Sequence, residues 1–405
     1  MEKASGGWLE GSRAYWITAG AVAASFLIVE PAVRLGSTLD TIVPMDQLTV
    51  RLLMAAALMV IAGLLLRGDR TPSPDRLLKG LVAGGMAMRI GYMLYTPYNV
   101  RAHDVGTLFK DEHLRYIYTI LTQFRLPATN DGQFYHPPLA HALEALAVRI
   151  YSLLAPGAGL SEWFQAAKVV PAFASCAALI VCRRLFDELG TNRRVTLPAM
   201  AVLAFHPTFY VLASSINNDM LMIFFFLAAL LETVRWYHRP TMRHILVLAV
   251  LIGCAMSTKF SGSLVAGIAA VAFLAVLLRR GKDRPALPRL IGQYAAFGAV
   301  CLPLGLWYFV RNWLLFRQPL GYVLSLPINS YQYIGFHSLW ERFGCFSPWQ
   351  LFAYPYCRVQ ADYQLWVYTI KCSGFGEYAY SQWLTPVAVL LVAVNTLLIL
   401  WSLLA

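Results

Sequence analysis

The chain has 405 residues and a net charge of +12; 58% of its residues are hydrophobic and only 13% charged. A soluble domain carries about 25% charge, and many apolar stretches here approach the ~20 residues that cross a bilayer core, so a string of soluble domains is excluded. The basic residues sit in short loops between those stretches and no nucleic-acid-binding motif accompanies them, which excludes a nucleic-acid partner and points to the lipid bilayer.

Apolar runs place spans at 14–33, 50–66, 78–97, 165–184, 195–213, 219–236, 243–257, 262–278, 290–310 and 384–404. The first follows a short N-terminus with no clean cleavage site after it, and reads as a retained anchor. Arg67, Arg70, Arg76 and Lys79 follow the second span, and Arg183, Arg184, Arg193 and Arg194 the fourth. Arg235, Arg239 and Arg243 follow the sixth; Arg279, Arg280, Lys282, Arg284 and Arg289 cluster around the loop after the eighth. These alternate loops are expected to be cytoplasmic, and the intervening ones to lie outside. Two outside segments are long, about 98–164 and 311–383, and rich in aromatic and polar residues. The first should hold an amphipathic helix over 112–124 and another over 138–154 lying along the membrane surface. The fold expected is an all-α integral membrane bundle of about ten spans. An N-terminal hairpin, 1–77, precedes a catalytic domain, 78–405.

Cys176, Cys182, Cys254 and Cys301 fall in or beside spans, where a small soft side chain is unremarkable. Cys345, Cys357 and Cys372 share the second long loop. Two of these three can pair if the loop faces an oxidising compartment, and the sequence does not choose which.

The chemistry-bearing residues gather at the outside ends of spans. The first loop opens Arg101-Ala102-His103-Asp104 and continues Asp111-Glu112-His113-Leu114-Arg115-Tyr116. A carboxylate there suits general-base work on an incoming hydroxyl or amine; a solvated charged loop is the plainer reading. Tyr135-His136-Pro137-Pro138 is either a rigid helix-starting turn or a pocket wall. Asn217-Asn218-Asp219 opens the sixth span, where Asp219 can cap the helix and the asparagines offer hydrogen-bond groups. Lys259 and Arg311, at the outside ends of the seventh and ninth spans, either anchor at the interface or grip an anion, phosphate being the natural one at that depth. The phosphate-binding, nucleophile-elbow, zinc and dinucleotide signatures are absent, so the energy of any reaction must come with its substrate.

The order of these motifs resembles the GT-C class of membrane glycosyltransferases. The branch is that of the protein O-mannosyltransferases and the lipid A aminoarabinose transferase. The resemblance rests on the acidic first loop, Phe134-Tyr135-His136-Pro137-Pro138-Leu139, Asn217-Asn218-Asp219, Lys259-Phe260-Ser261-Gly262, Arg311-Asn312 with Pro319-Leu320, and Phe375-Gly376-Glu377. It covers roughly 80–380. It implies a polyprenyl- or dolichyl-phosphate sugar as donor, inversion at the anomeric carbon, and no metal ion or other cofactor. Asp104 would be the base, with Asp111 and Glu112 as rivals, and Lys259 and Arg311 would hold the donor phosphate. His103, Tyr135, His136, Asn217, Asn218, Asp219 and Glu377 would contact substrate. The acceptor, a glycan, lipid or protein, would be met on the outer face of a bacterial plasma membrane or in the lumen of the endoplasmic reticulum. Two spans precede the first loop where many relatives have one, and a single span follows the second loop. The alternatives are a transporter or lipid flippase, for which Arg89, Lys168 and His206 are the intramembrane candidates, and an inactive lipid-binding relative.

Overall fold

The computed structural model describes residues 12–39, 73–99, 105–279, 285–322, 328–330, 333–358, 361–375 and 385–404. His103, Asp104, Glu377 and the span expected over 50–66 lie outside the described residues. The chain divides into two units, Met1–Phe205 with Phe209–Tyr322, and His206–Thr208 with Val323–Ala405.

Apolar sequence without water at hand must satisfy its backbone internally, and among the described residues it does so with helices alone. Helix α1 is Arg13–Leu39 and α2 is Pro74–Tyr95. Helices α3 (His113–Gln123), α4 (Leu139–Leu154) and α5 (Leu160–Gln165) follow, the last running through a tight turn into α6 (Val169–Glu188). Then come α7 (Arg193–Phe205), α8 (Pro207–Ala213), α9 (Asp219–His238), α10 (Met242–Thr258), α11 (Leu264–Leu277) and α12 (Leu287–Phe316). Among the described residues, five stretches are long and apolar enough to cross a membrane: Pro74–Tyr95, Leu160–Glu188, Asp219–His238, Phe260–Leu277 and Leu287–Phe316. Their outward faces carry bare apolar side chains, such as Leu264 and Val271 at 69% exposure each and Leu314 at 66%. A surface of that kind is stable only against lipid, so this is an integral membrane protein.

Within the first unit, helices approach closely because small residues line their contacts. A Cβ on Gly85 of α2 would sit 2.9 Å from both Ala204 of α7 and Leu179 of α6. The span expected over 195–213 is in fact two helices, broken at His206. Pro207 is the cause: it has no N–H to continue the ladder and disfavours helical backbone in the residue before it. The carbonyls freed at this break are taken by Arg89, which is 1% exposed. It donates to the carbonyls of Leu203 at 2.8 Å, Ala204 at 2.6 Å and Gly85 at 2.9 Å, and to Ser175 Oγ at 2.8 Å. Lys168 does the same for α2, donating to the carbonyls of Met93 at 2.8 Å and Thr96 at 2.6 Å. Both buried cations therefore cap helix C-termini, where carbonyl lone pairs and the helix dipole favour positive charge.

At one end of this unit α3, α4 and α5 form a packed layer. Leu114 and Ile117 of α3 bury against Ala145 and Val148 of α4 and Phe164 of α5, with Ile216 from the turn before α9. The helices expected over 112–124 and 138–154 are α3 and α4. In the second unit a turn at Trp340–Gly344 precedes α13 (Trp349–Ala353), α14 (Leu365–Phe375) and α15 (Thr385–Leu404). Leu351, Val367, Ile370, Ala388 and Val392 form its core.

Candidate active site

The first residue of α9 and the residue that follows α10 meet in an ion pair. Lys259 Nζ donates to Asp219 Oδ1 at 2.6 Å. The two side chains keep 28% and 22% of their exposure, so the pair is shielded yet reachable. The first turn of α9 is capped by the Asn217 side chain. Asn217 Oδ1 accepts from the Met220 N–H at 3.0 Å, and its Nδ2 donates to the carbonyls of Leu212 and Ser215 at 2.7 Å each. This cap comes from two residues upstream of Asp219, whose carboxylate meets Lys259. Asn218 is fully buried, and its side-chain amide has no hydrogen-bond partner among the described residues.

His136 lies in the field of this pair. It is 7% exposed. Burial and the Lys259 and His113 charges hold its pKa well below the ordinary histidine value, while the Asp219 carboxylate opposes them. It is therefore a neutral imidazole at pH 7. Its ring packs on Tyr135 with centroids 4.0 Å apart, and Tyr135 meets Tyr322 edge-on at 5.5 Å. Behind it, His113 Nδ1 and His141 Nε2 share a hydrogen bond of 2.7 Å, and His141 stacks on Tyr116 at 4.1 Å. Burial likewise holds His141 well below the ordinary histidine value.

One helical turn beyond His141 stands Glu144, fully buried, with the Asn217 backbone N–H as the weak partner of its carboxyl group. Burial pushes it well above the usual carboxylate range, opposed by the backbone N–H of Asn217. Neither His141 nor Glu144 stood out in the sequence. Their spacing of three puts them on one face of α4, and that was the signal available. Among the described residues no cluster of His, Cys, Asp and Glu has an arrangement that would hold a metal ion.

The end of α12 is stapled to the loop that carries Tyr135 and His136. Arg311 donates to the Pro127 carbonyl at 2.7 Å and to Asn312 Oδ1 at 2.8 Å, and its guanidinium lies over the rings of Tyr308 and Phe316. Tyr308 donates to the Phe134 carbonyl at 2.6 Å. Gln318 Oε1 accepts from Asn130 at 3.1 Å and from Asn312 at 3.3 Å. Phe260 packs edge-on against Phe309 at 5.0 Å, which sets the Lys259 and Arg311 segments side by side. Arg311 has five N–H donors, and the carbonyl of Pro127 and the amide of Asn312 engage two of its nitrogens.

Asp111 and Glu112 lie where the loop enters α3. Asp111 pairs with Arg115 one turn on at 3.0 Å, and its carbonyl accepts from the Gln133 N–H at 2.6 Å. Glu112 Oε2 accepts from the Thr107 N–H at 2.7 Å. Both are partly exposed and both brace the loop.

Residues 135–316 match the family model of the dolichyl-phosphate-mannose-protein mannosyltransferases. That match bears out the resemblance drawn from the motifs, and the chain is mannosyltransferase-like over this segment. The matched stretch runs from Tyr135 past Arg311, taking in His136, the Asn217-Asn218-Asp219 turn and Lys259; the acidic first loop precedes it and Glu377 follows it. No curated protein matches the chain.

Proposed function

We propose that this protein transfers a sugar from a polyprenyl- or dolichyl-phosphate donor to a glycan, lipid or protein acceptor at the extracytoplasmic or lumenal face of its membrane. In this reading about ten spans form the bundle, with residues 78–405 as the catalytic domain behind an N-terminal hairpin of residues 1–77. The observation that carries it is the shielded, reachable Lys259–Asp219 pair beside His136 at the end of a helical bundle. An ammonium has three donors and Asp219 engages one of them, so Lys259 can stay anchored while it meets phosphate oxygens.

The acceptor oxygen attacks the anomeric carbon from the face opposite the phosphate, the carbon–phosphate-oxygen bond breaks, and the configuration inverts. Lys259 and Arg311 offset the charge gathering on the departing lipid phosphate. Asp104 takes the acceptor's proton, with Asp111 or Glu112 as the rival base, and no metal ion takes part. Neutral His136, Tyr135, His103, Asn218 and Glu377 shape the acceptor site, while Asn217 fixes the turn that presents Asp219. The family model's own name, with its dolichyl-phosphate-mannose donor and protein acceptor, supports this choice of donor class. Of the three intramembrane candidates a carrier would draw on, Arg89, Lys168 and His206, the first two are committed to helix ends.

The test uses purified protein in lipid discs with radiolabelled polyprenyl-phosphate sugars, following label from lipid into membrane acceptors. Asp104→Asn should abolish transfer while thermal unfolding stays unchanged. Full turnover in that variant would overturn the assignment of the base.

A further inference from the structure

Three cysteines share the stretch 345–372, and the fold of the second unit distinguishes among them. Asp362 organises the segment. Its Oδ2 accepts from the Arg358 N–H at 2.6 Å, and its Oδ1 accepts from Lys371 Nζ at 2.9 Å, with both side chains of that ion pair fully buried. A buried pair of this kind fixes register, because either partner left alone would be an uncompensated charge. Cys357 immediately precedes Arg358, and Cys372 immediately follows Lys371 on α14. The same register brings their sulfurs to 3.2 Å. Both thiols remain partly exposed. Cys345 instead closes the Trp340–Gly344 turn, its N–H donating to the Trp340 carbonyl at 3.0 Å.

We propose that Cys357 and Cys372 are a disulfide site, joined when the protein matures in its membrane, and that Cys345 stays a thiol. The bond encloses the Asp362–Lys371 pair, so a covalent tie and an ionic one close the same loop. The oxidant is a disulfide-carrying oxidoreductase of the compartment the loop faces. The thiolate of one cysteine attacks that disulfide and releases one of the partner's sulfurs. The second cysteine then attacks the mixed disulfide, the Cys357–Cys372 bond forms, and the partner leaves as a dithiol with the two electrons and two protons. This inference rests on the proposed reading in one respect, the placement of the loop outside the cytoplasm, where disulfides persist.

Cells making the full chain are lysed in N-ethylmaleimide, and the denatured protein is digested without reductant for mass spectrometry. Of the seven cysteines, all but this pair should carry the alkyl group. One linked peptide should join Cys357 to Cys372 and disappear on reduction. In Cys357→Ser, Cys372 should become alkylated and no link to Cys345 should form. Alkylation of all seven before reduction, or a link that engages Cys345, overturns the proposal. In the first of those cases, native protein exposed to oxidised glutathione locates the fault. A Cys357–Cys372 link appearing then means the loop faces a reducing compartment, and its failure to appear means the geometry is wrong. Sugar transfer by the same preparation reports separately on the enzymatic reading.

Discussion

A carboxyl group buried with too few partners to hold a charge is tolerated only while it keeps its proton. Glu144 is that case, and the sign of its effect on stability follows. Its folded pKa lies above the ordinary 4.5, so the folded chain holds a proton the unfolded chain has released. The stability from that proton is present below pH 4.5 and is lost as pH rises through the folded value. Glu144→Gln keeps the shape and removes the titration. It should therefore raise the unfolding temperature at pH 7.5, and the gain should vanish toward pH 4, as read by thermal unfolding in detergent. An equal gain at both pH values would mean that the carboxyl is ionised in the fold. His136 and His141 act in the opposite sense. Buried neutral, with folded values below the ordinary 6.5, they contribute stability above that pH which is lost on acidification.

At the scale of elements, the first long loop is shaped by two glycines with left-handed backbone. Gly106 has φ +69°, and a Cβ there would fall on the Glu112 carboxylate; Gly132 has φ +52°, and its Cβ would sit 1.9 Å from the Asp111 carbonyl oxygen. Gly132→Ala should cost about 1–2 kcal/mol from the backbone alone, and more from the clash. It should also lower turnover, because the Gln133 N–H bond to Asp111 that seats Tyr135 and His136 would be broken. Gly157→Ala, with open space around it and no positive φ, is the control and should change neither unfolding temperature nor rate. Much of this layer was legible beforehand. Helix spacing and the Pro137-Pro138 start revealed α3 and α4, because amphipathic periodicity survives in sequence. Pairing did not. Lys259 and Asp219 are 40 residues apart and were read as separate features. Arg311 was read for its charge, while its stapling to Pro127 depends on a loop fold that local pattern does not encode. The break at His206 was present in the sequence as Pro207 and was hidden by the apolar run around it.

Across the whole molecule, helices with bare apolar flanks and a few buried cations spent on helix ends make a stable membrane scaffold. Within the matched segment Lys259 with Asp219 is, by contrast, a charged pair that stays accessible beside the buried His136. If this pair seats a lipid phosphate, its removal must act on the reaction more than on the fold. The decisive measurement is the initial rate of label transfer from a polyprenyl-phosphate sugar, at rising donor concentration, by wild type and Lys259→Ala in lipid discs, with thermal unfolding followed in parallel. The account predicts a loss in rate of about 10²–10³-fold, the range seen when one stabilising donor is removed, with unfolding little changed. A variant that transfers label as fast as wild type would contradict it.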